Sequence, residues 1–354
     1  MPVVWTDRHR LHEPGGEIWL GVRTPGTELP ERAERIRAAL SDAGARIVDA
    51  REHPDSELLT VHDAALVDYL ASARAEWEAA GLTSDPGQDR VVPYLFPHPG
   101  LLGDLVPPIP GAASARAGYF AYDTMTLIGP GTWEAARAAV DVALTAADLV
   151  AAGEPAAYAC CRPPGHHATR GAFGGSCYLN NSAAAAARLR GTLEAPVAVI
   201  DVDAHHANGT QAIFYEDPGV LTGSVHVDPG AGWFPHFLGF ASERGAGEGD
   251  GANLNLPLAP GSGDGPWLEA VGSLAAWAGE QGARALVVAL GVDAAAGDPE
   301  SPLQVSADGF RAAGRTLGAL GLPTVVVQEG GYDLEAIGGL VAETLAGIEE
   351  GLGI

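Results

Sequence analysis

Residues 200–215, IDVDAHHANGTQAIFY, decide the fold. The apolar run Val197–Val202 passes directly into Asp203, Ala204, His205 and His206, so a strand ends where the titratable groups begin. Side chains alternate with period two in an extended chain, which puts Asp201, Asp203 and His205 on one face. Open parallel sheets collect ligands at the carboxyl ends of their strands. The stretch therefore predicts a buried strand that delivers a carboxylate and an imidazole to one cation. The competing reading is a turn whose acids only cap the next helix. A lone Asp-x-His favours that alternative; Asp-x-Asp-x-His-His at the end of a buried strand favours the cation.

Working outward, further apolar runs alternate with Ala-rich stretches of helical period, the pattern of a parallel sheet covered by helices. The predicted strands are Val3–Trp5, Arg46–Asp49, Ala157–Cys161, Val197–Asp201, Val220–Val227, Leu286–Leu290 and Thr324–Val327. Helices are predicted at Glu31–Ala43, Trp133–Ala152, Ser182–Arg190, Trp267–Glu280 and Ala307–Leu320, with Thr132 and Ser182 as N-caps. The expected architecture is a single α/β domain over residues 1–354, a mostly parallel central sheet with helices on both faces. Two long insertions interrupt it, at about 83–117 and 228–266. The first carries seven prolines; the second is rich in Gly and Pro, and its Trp233, Phe234, Phe237 and Phe240 argue for a packed, ordered loop.

Three other segments carry chemistry. ALGVDAAAGDP, residues 289–299, ends a second apolar strand before Asp293, a third ligand that leaves one metal position open. Three protein ligands and an open position are how catalytic zinc is held, although two carboxylates and one imidazole also suit Fe²⁺. CRPPGHHATRGAFGGSCYLNN, residues 161–181, follows a strand with a rigid turn that presents His166 and His167. Histidine is the usual acid–base group near neutral pH, and Asp201 and Asn208 are at hand to tune the pair. QEGGYDL, residues 328–334, pairs glycines that allow close backbone approach with Tyr332, a phenol able to donate to a developing oxyanion.

Composition narrows the function classes. The formal charge of −25, from 45 acidic and 20 basic residues, argues against a nucleic-acid partner. It suits attraction of a cationic substrate, or simply solubility. No run of about 18 apolar residues is present, so no membrane span is expected. The N-terminus lacks a secretory pattern, and three cysteines without a zinc or redox spacing fit a reduced, cytoplasmic setting.

Taken together, RPPGHH, DVDxHHxNGTQ, LGVDxxxxDP and EGGY, between about Trp133 and Ile337, resemble the histone deacetylase family with its arginase–deacetylase fold. GPGTWEAA at 129–136, FGGSCYLNN at 173–181 and FPHFLGF at 234–240 resemble its acetylpolyamine amidohydrolase branch. The resemblance implies Asp203, His205 and Asp293 as zinc ligands, and His167 as general base and then acid. It pairs Asp201 with His166 and Asn208 with His167, and gives Tyr332 the polarisation of the acyl carbonyl. It further implies a substrate tunnel walled by Phe173 and Phe234 beside Gly175 and Gly330. A structural K⁺ at Asp201, Asp203, His205, Ser224 and Val225 follows from the same resemblance. So do metal-assisted hydrolysis of a small cationic acetylated amine and pairing of subunits as a homodimer or dimer of dimers through the insertions. Met125 stands where that branch is expected to carry an acid for the distal ammonium, with Asp123 two residues earlier. An arginase-type two-manganese site needs a further carboxylate where Ala295 stands, and a non-catalytic binding protein would be expected to lack Tyr332 or a ligand. The remaining alternative is a deacylase for acyl-lysine peptides or a natural-product intermediate.

Overall fold

A strand covered on both faces carries apolar side chains at every position, and such strands belong in parallel sheets flanked by helices. The computed structural model, which describes residues 1–354, has this form. Its strands are β1 (Val3–Trp5), β2 (Glu17–Trp19), β3 (Val22–Thr24), β4 (Ile47–Asp49) and β5 (Ala156–Ala159). They continue as β6 (Val197–Asp201), β7 (Val220–Val227), β8 (Asn253–Leu258), β9 (Ala285–Leu290) and β10 (Thr324–Gln328). Eight strands make one sheet in the order β4-β1-β5-β10-β9-β6-β7-β8, parallel at every pairing. β2 and β3 form a separate antiparallel hairpin.

The helices are α1 (Pro30–Asp42), α2 (Ala64–Ala79), α3 (Pro99–Leu102), α4 (Ala113–Phe120) and α5 (Thr132–Ala151). After them come α6 (Asn181–Leu193), α7 (Asn208–Phe214), α8 (Asp264–Glu280), α9 (Ala307–Gly318) and α10 (Ile337–Leu352). Alternation along the strands splits the core in two. Val197, Val199, Val325 and Val327 join the layer of α2, α5 and α6. Ala198, Ile200 and Val326 join that of α1, α8, α9 and α10. Each fully buried valine or leucine contributes roughly 1.5–3 kcal/mol, so the middle of the sheet is the most firmly held part of the molecule. There β5, β10, β9 and β6 lie side by side, and each of the four chemical motifs leaves the carboxyl end of one of them.

The structure corrects several expectations. The 228–266 segment is not all loop, because Asn253–Leu258 adds β8 to the sheet edge; its Phe237 is 86% exposed rather than packed. The 83–117 segment includes α3 and most of α4. Neither proposed N-cap caps. α5 starts from Gly131 at φ 75° without a side-chain cap, and the Thr132 hydroxyl instead accepts from the Gly129 amide at 2.9 Å. α6 is capped by Asn180, whose side chain accepts from Ala183 N at 2.8 Å, which frees Ser182 for another contact. α10 was not among the predicted helices, and its glycines are not the feature that makes it. They are small for packing: a Cβ on Gly347 or Gly351 would overlap the α9 backbone at Arg311 or Arg315.

Candidate metal centre and active site

The ends of β6 and β9 supply the triad. Asp203 and Asp293 are fully buried, and His205 Nδ1 lies 3.1 Å from Asp203 Oδ1 and 3.0 Å from Asp293 Oδ2. All three ligand atoms fall within 4.8 Å of one another. Ligands about 2.0–2.1 Å from a tetrahedral zinc stand roughly 3.3 Å apart, so the spacing fits such an ion with little rearrangement. Backbone amides hold the carboxylates: Gly330 N donates to Asp203 Oδ2 and Ala204 N to Asp293 Oδ1, each at 2.8 Å. Glycine is required at 330, since a Cβ there would overlap both carboxylates. Gly330 therefore sits behind the ligands and lines no part of the cavity.

Charge tells the same story. Burial disfavours ionised Asp203, yet the His166 and His205 imidazoles hold its carboxyl well below the usual range. Burial, together with Asp203 beside it, pushes Asp293 up to about 7. Burial also opposes charge on His205, but the two carboxylates outweigh it and raise the imidazole well above its ordinary value. Without a metal, then, one ring proton is what holds two buried acids together. A divalent cation replacing that proton would satisfy both acids at once, and this donor set fits zinc or Fe²⁺.

The turn after β5 brings the two histidines beside the triad, ring centroids 4.0 Å apart. His166 Nδ1 lies 3.0 Å from Asp201 Oδ2, and His167 Nδ1 donates to Asn208 Oδ1 at 2.6 Å. An amide oxygen only accepts, so the proton of neutral His167 is on Nδ1 and Nε2 keeps a lone pair. Burial weighs against charge on both rings, but with opposite outcomes. Asp203 and Asp201 prevail at His166, raised to about 10, whereas His166 and His205 drive His167 well below 6.5. The two imidazoles are thus pushed in opposite directions, His166 toward the cation and His167 toward the free base.

Tyr332 reaches the same place from the β10 end. Asp298 Oδ2 accepts from its backbone N at 2.7 Å, and the Arg32 guanidinium lies 4.5 Å from its ring centroid. Arg32 also donates to Gly331 O at 2.5 Å and Glu329 O at 2.6 Å, fixing the turn. Burial raises the phenol well above its ordinary range, so the hydroxyl stays a donor.

These groups open into a cavity of about 440 Å³, lined among others by His167, Gly175, Ser176, His205, Phe234 and Tyr332. Phe234 lies edge-on to His167, centroids 4.9 Å apart. Phe173 does not form the opposite wall. It is 1% exposed and stacks between Tyr69 and Tyr178, held by a bridge to Ala121 and by its amide donating to Phe120 O at 2.8 Å. Ser176 takes the wall position instead. Asp123 does not substitute for an acid at the mouth either: its oxygens accept from Met125 N, Thr126 N and Gly175 N, while Met125 lines the cavity. Asp201 and Ser224, assigned to K⁺ by resemblance together with Val225, face each other across β6 and β7.

Sequence reasoning did not find the remaining acids. Glu17, on the β2–β3 hairpin, and Glu300 both line the cavity. Glu300 follows the Asp298–Pro299 pair directly and was legible as a strand-end neighbour; Glu17 lies in a stretch without period and gave no signal.

The Histone deacetylase domain family matches residues 27–348. Acetylpolyamine amidohydrolase of Mycoplana ramosa is 41% identical over 349 residues, 98% of this chain and 99% of that one. Acetylpolyamine amidohydrolase 1 of Pseudomonas aeruginosa is 40% identical over 347 residues, 98% of each chain. The crystal structure of acetylpolyamine aminohydrolase from Burkholderia pseudomallei superposes with a TM-score of 0.91 at 37% identity, covering 99% of both chains. The chain belongs to the histone deacetylase family, and along its whole length it is similar to members named acetylpolyamine amidohydrolases.

Proposed function

We propose that residues 1–354 act as one zinc-dependent amidohydrolase unit, which hydrolyses the amide of a small N-acetylated amine bearing a second cationic end and releases acetate. The observation that carries this reading is the cavity, which His167, His205 and Tyr332 line together with the acids Glu17 and Glu300. Asp203, His205 and Asp293 would hold the metal, Zn²⁺ before Fe²⁺; bound there it supplies Lewis acidity toward a carbonyl and lowers the pKa of water. A structural K⁺ near Asp201 and Ser224 belongs to the same proposal.

The protein's own groups divide the work. His167 Nε2 takes a proton as water adds to the acetyl carbon, and the Tyr332 hydroxyl donates to the oxygen on which negative charge develops. Charged His166, 4.0 Å from His167 between ring centroids, keeps that ring a weak enough base to give the proton back. When the C–N bond breaks, the same proton passes to the leaving amine, so amide and water become acetate and amine. Phe234 and the walls around Ser176 confine a slender chain, and Glu17 and Glu300 meet its far ammonium. Thr27 donates to Glu300 Oε1 at 2.9 Å and orients that acid. The negative net charge adds long-range attraction for such a substrate.

The test is a panel on Zn²⁺-loaded enzyme comprising acetylputrescine, acetylcadaverine, acetylspermidine, neutral N-butylacetamide and an acetyl-lysine peptide. The polyamine derivatives are expected to react best. Glu300→Gln should raise KM for acetylputrescine about tenfold, the loss of one charged hydrogen bond, without affecting N-butylacetamide. Turnover of the peptide alone, the mark of an acyl-lysine enzyme, would reject the reading.

We also propose that two copies pair through the first insertion, a homodimer that could double again. Its exposed Tyr94, Leu101, Leu105 and Val106 form the kind of apolar surface that marks an interface. Light scattering is expected to give a dimer mass, and Val106→Asp to lower it to that of one chain. No helix is long and apolar enough to cross a membrane. All three cysteines are buried and free, which supports a reducing, cytoplasmic location.

A further inference from the structure

Glu329, the acid of QEGGYDL, is fully buried but lines no part of the cavity. Its Oε2 accepts from the backbone N–H groups of Gly165, at 2.6 Å, and His166, at 3.1 Å. Its Oε1 accepts from Ser182 Oγ at 2.6 Å. Two consecutive amides of the histidine turn and the first turn of α6 thus converge on one side chain at the end of β10. This is the contact for which Ser182 was released from capping. Gly165 permits it, since a Cβ there would meet Leu179 O at 2.7 Å and overlap the Asn181 amide.

A buried carboxylate is expensive unless donors surround it, so its place beside the histidine turn asks for a role. His166, Cys177 and Glu329 place ligand atoms within 4.8 Å of one another, the composition of a second metal site. Yet N–H and O–H donors already occupy both Glu329 oxygens, and Asp201 holds His166 Nδ1. The donors make the cluster a brace rather than a coordination shell.

We propose that Glu329 is a positioning residue, which locks the His166–His167 turn to the end of β10 and so sets the distance between the acid–base pair and Tyr332. The brace ties together the two strand ends that carry the proton-transfer groups and the phenol, and it rests on the hydrolase reading above. Misplacing a reacting group by about 1 Å can cost on the order of 10²-fold in rate, so a rigid link at this point bears on turnover rather than on substrate affinity.

Two substitutions separate geometry from charge. Glu329→Gln keeps an acceptor for the two amides and turns an N–H toward Ser182 Oγ, which can accept it. Glu329→Ala leaves three donors unpaired. On Zn²⁺-loaded protein, Glu329→Ala is expected to lower kcat about 10- to 100-fold, with KM and bound zinc unchanged, and Glu329→Gln to restore most of it. Amide hydrogen exchange at Gly165 and His166, which needs no substrate, should be fast in Glu329→Ala and slow in Glu329→Gln. Slow exchange in Glu329→Ala, unchanged kcat, or equal loss in both variants would overturn the brace. Should Glu329→Ala fail to fold, Ser182→Ala removes one leg only and should show the same changes in smaller measure; unaltered exchange and kcat there count against the proposal. An enzyme inert toward every acylated amine would refute the hydrolase reading, while the exchange result would still judge the brace.

Discussion

Tyr332→Phe is expected to lower kcat by roughly 10²–10³-fold, the loss typical of removing one oxyanion donor, with zinc content and KM close to those of the unaltered enzyme. The phenol reaches the cavity from a turn held by other groups. Asp298 accepts from the backbone N–H of Tyr332 and of Asp333, at 2.7 and 3.2 Å, and Arg32 holds the Glu329 and Gly331 carbonyls. None of these contacts uses the hydroxyl, so the phenylalanine ring should keep its place and its packing against Arg32, 4.5 Å from the centroid. What disappears is one O–H donor, which burial holds in its protonated form by raising the phenol well above its ordinary range. The interaction matters only once charge develops on the carbonyl oxygen, so the defect belongs in kcat rather than in binding. Steady-state kinetics on the Zn²⁺-loaded variant, with metal counted by atomic spectroscopy, decides the point. Turnover equal to that of the parent enzyme would remove Tyr332 from the mechanism.

The centre of this site was legible because local patterns carry it. A strand that stays apolar to Ile200 and then turns acidic at Asp201 marks its own carboxyl end, and so does the run from Leu286 to Asp293. What those patterns leave open is which strands are neighbours. Parallel crossovers put β10 between β5 and β9 although it comes last in the chain, and only that order assembles Tyr332 with His167 and Asp293. Features set by tertiary contact were lost. The α10 glycines have no evident role until α9 is packed on them, and Asn253 and Asn255 look like loop residues until the buried Gln211 amide oxygen accepts from both. Phe173 failed for a different reason. Phe173 is buried in the core and Ser176, three residues on, lines the cavity, and the residue pattern alone does not say which position of that loop faces the cavity. Glu17 could not be read at all, because a surface hairpin delivers it from far along the chain.

Asp293→Asn is the substitution expected to do the greatest harm to activity and only modest harm to the metal-free fold. The new amide side chain would keep an oxygen for the Ala204 amide, which donates to Asp293 Oδ1 at 2.8 Å, and would occupy the same volume. It removes a charge that the metal-free protein holds against burial and against Asp203, the two forces that push this carboxyl up to about 7. It also replaces the acceptor 3.0 Å from His205 Nδ1 with an N–H, so relief of the buried charge and loss of that contact oppose each other, and melting temperature without metal should fall only modestly. With zinc the situation reverses. A ligand present at about 1,000 times its Kd stabilises the folded state by about 4 kcal/mol, and that gain depends on the negative charge of the triad. The variant should lose most of the zinc-induced rise in melting temperature, and its turnover should drop at least about 10³-fold, since on the proposed mechanism a metal held by the triad would supply the activation of water. Chelation of the parent enzyme should abolish activity and added Zn²⁺ restore it, while the variant stays inactive under the same treatment. A variant that retained both the zinc-induced stabilisation and the turnover would show that Asp293 is not a ligand. The metal centre would then have to be sought at His166, Cys177 and Glu329, whose donors would first have to give up the hydrogen bonds they now make.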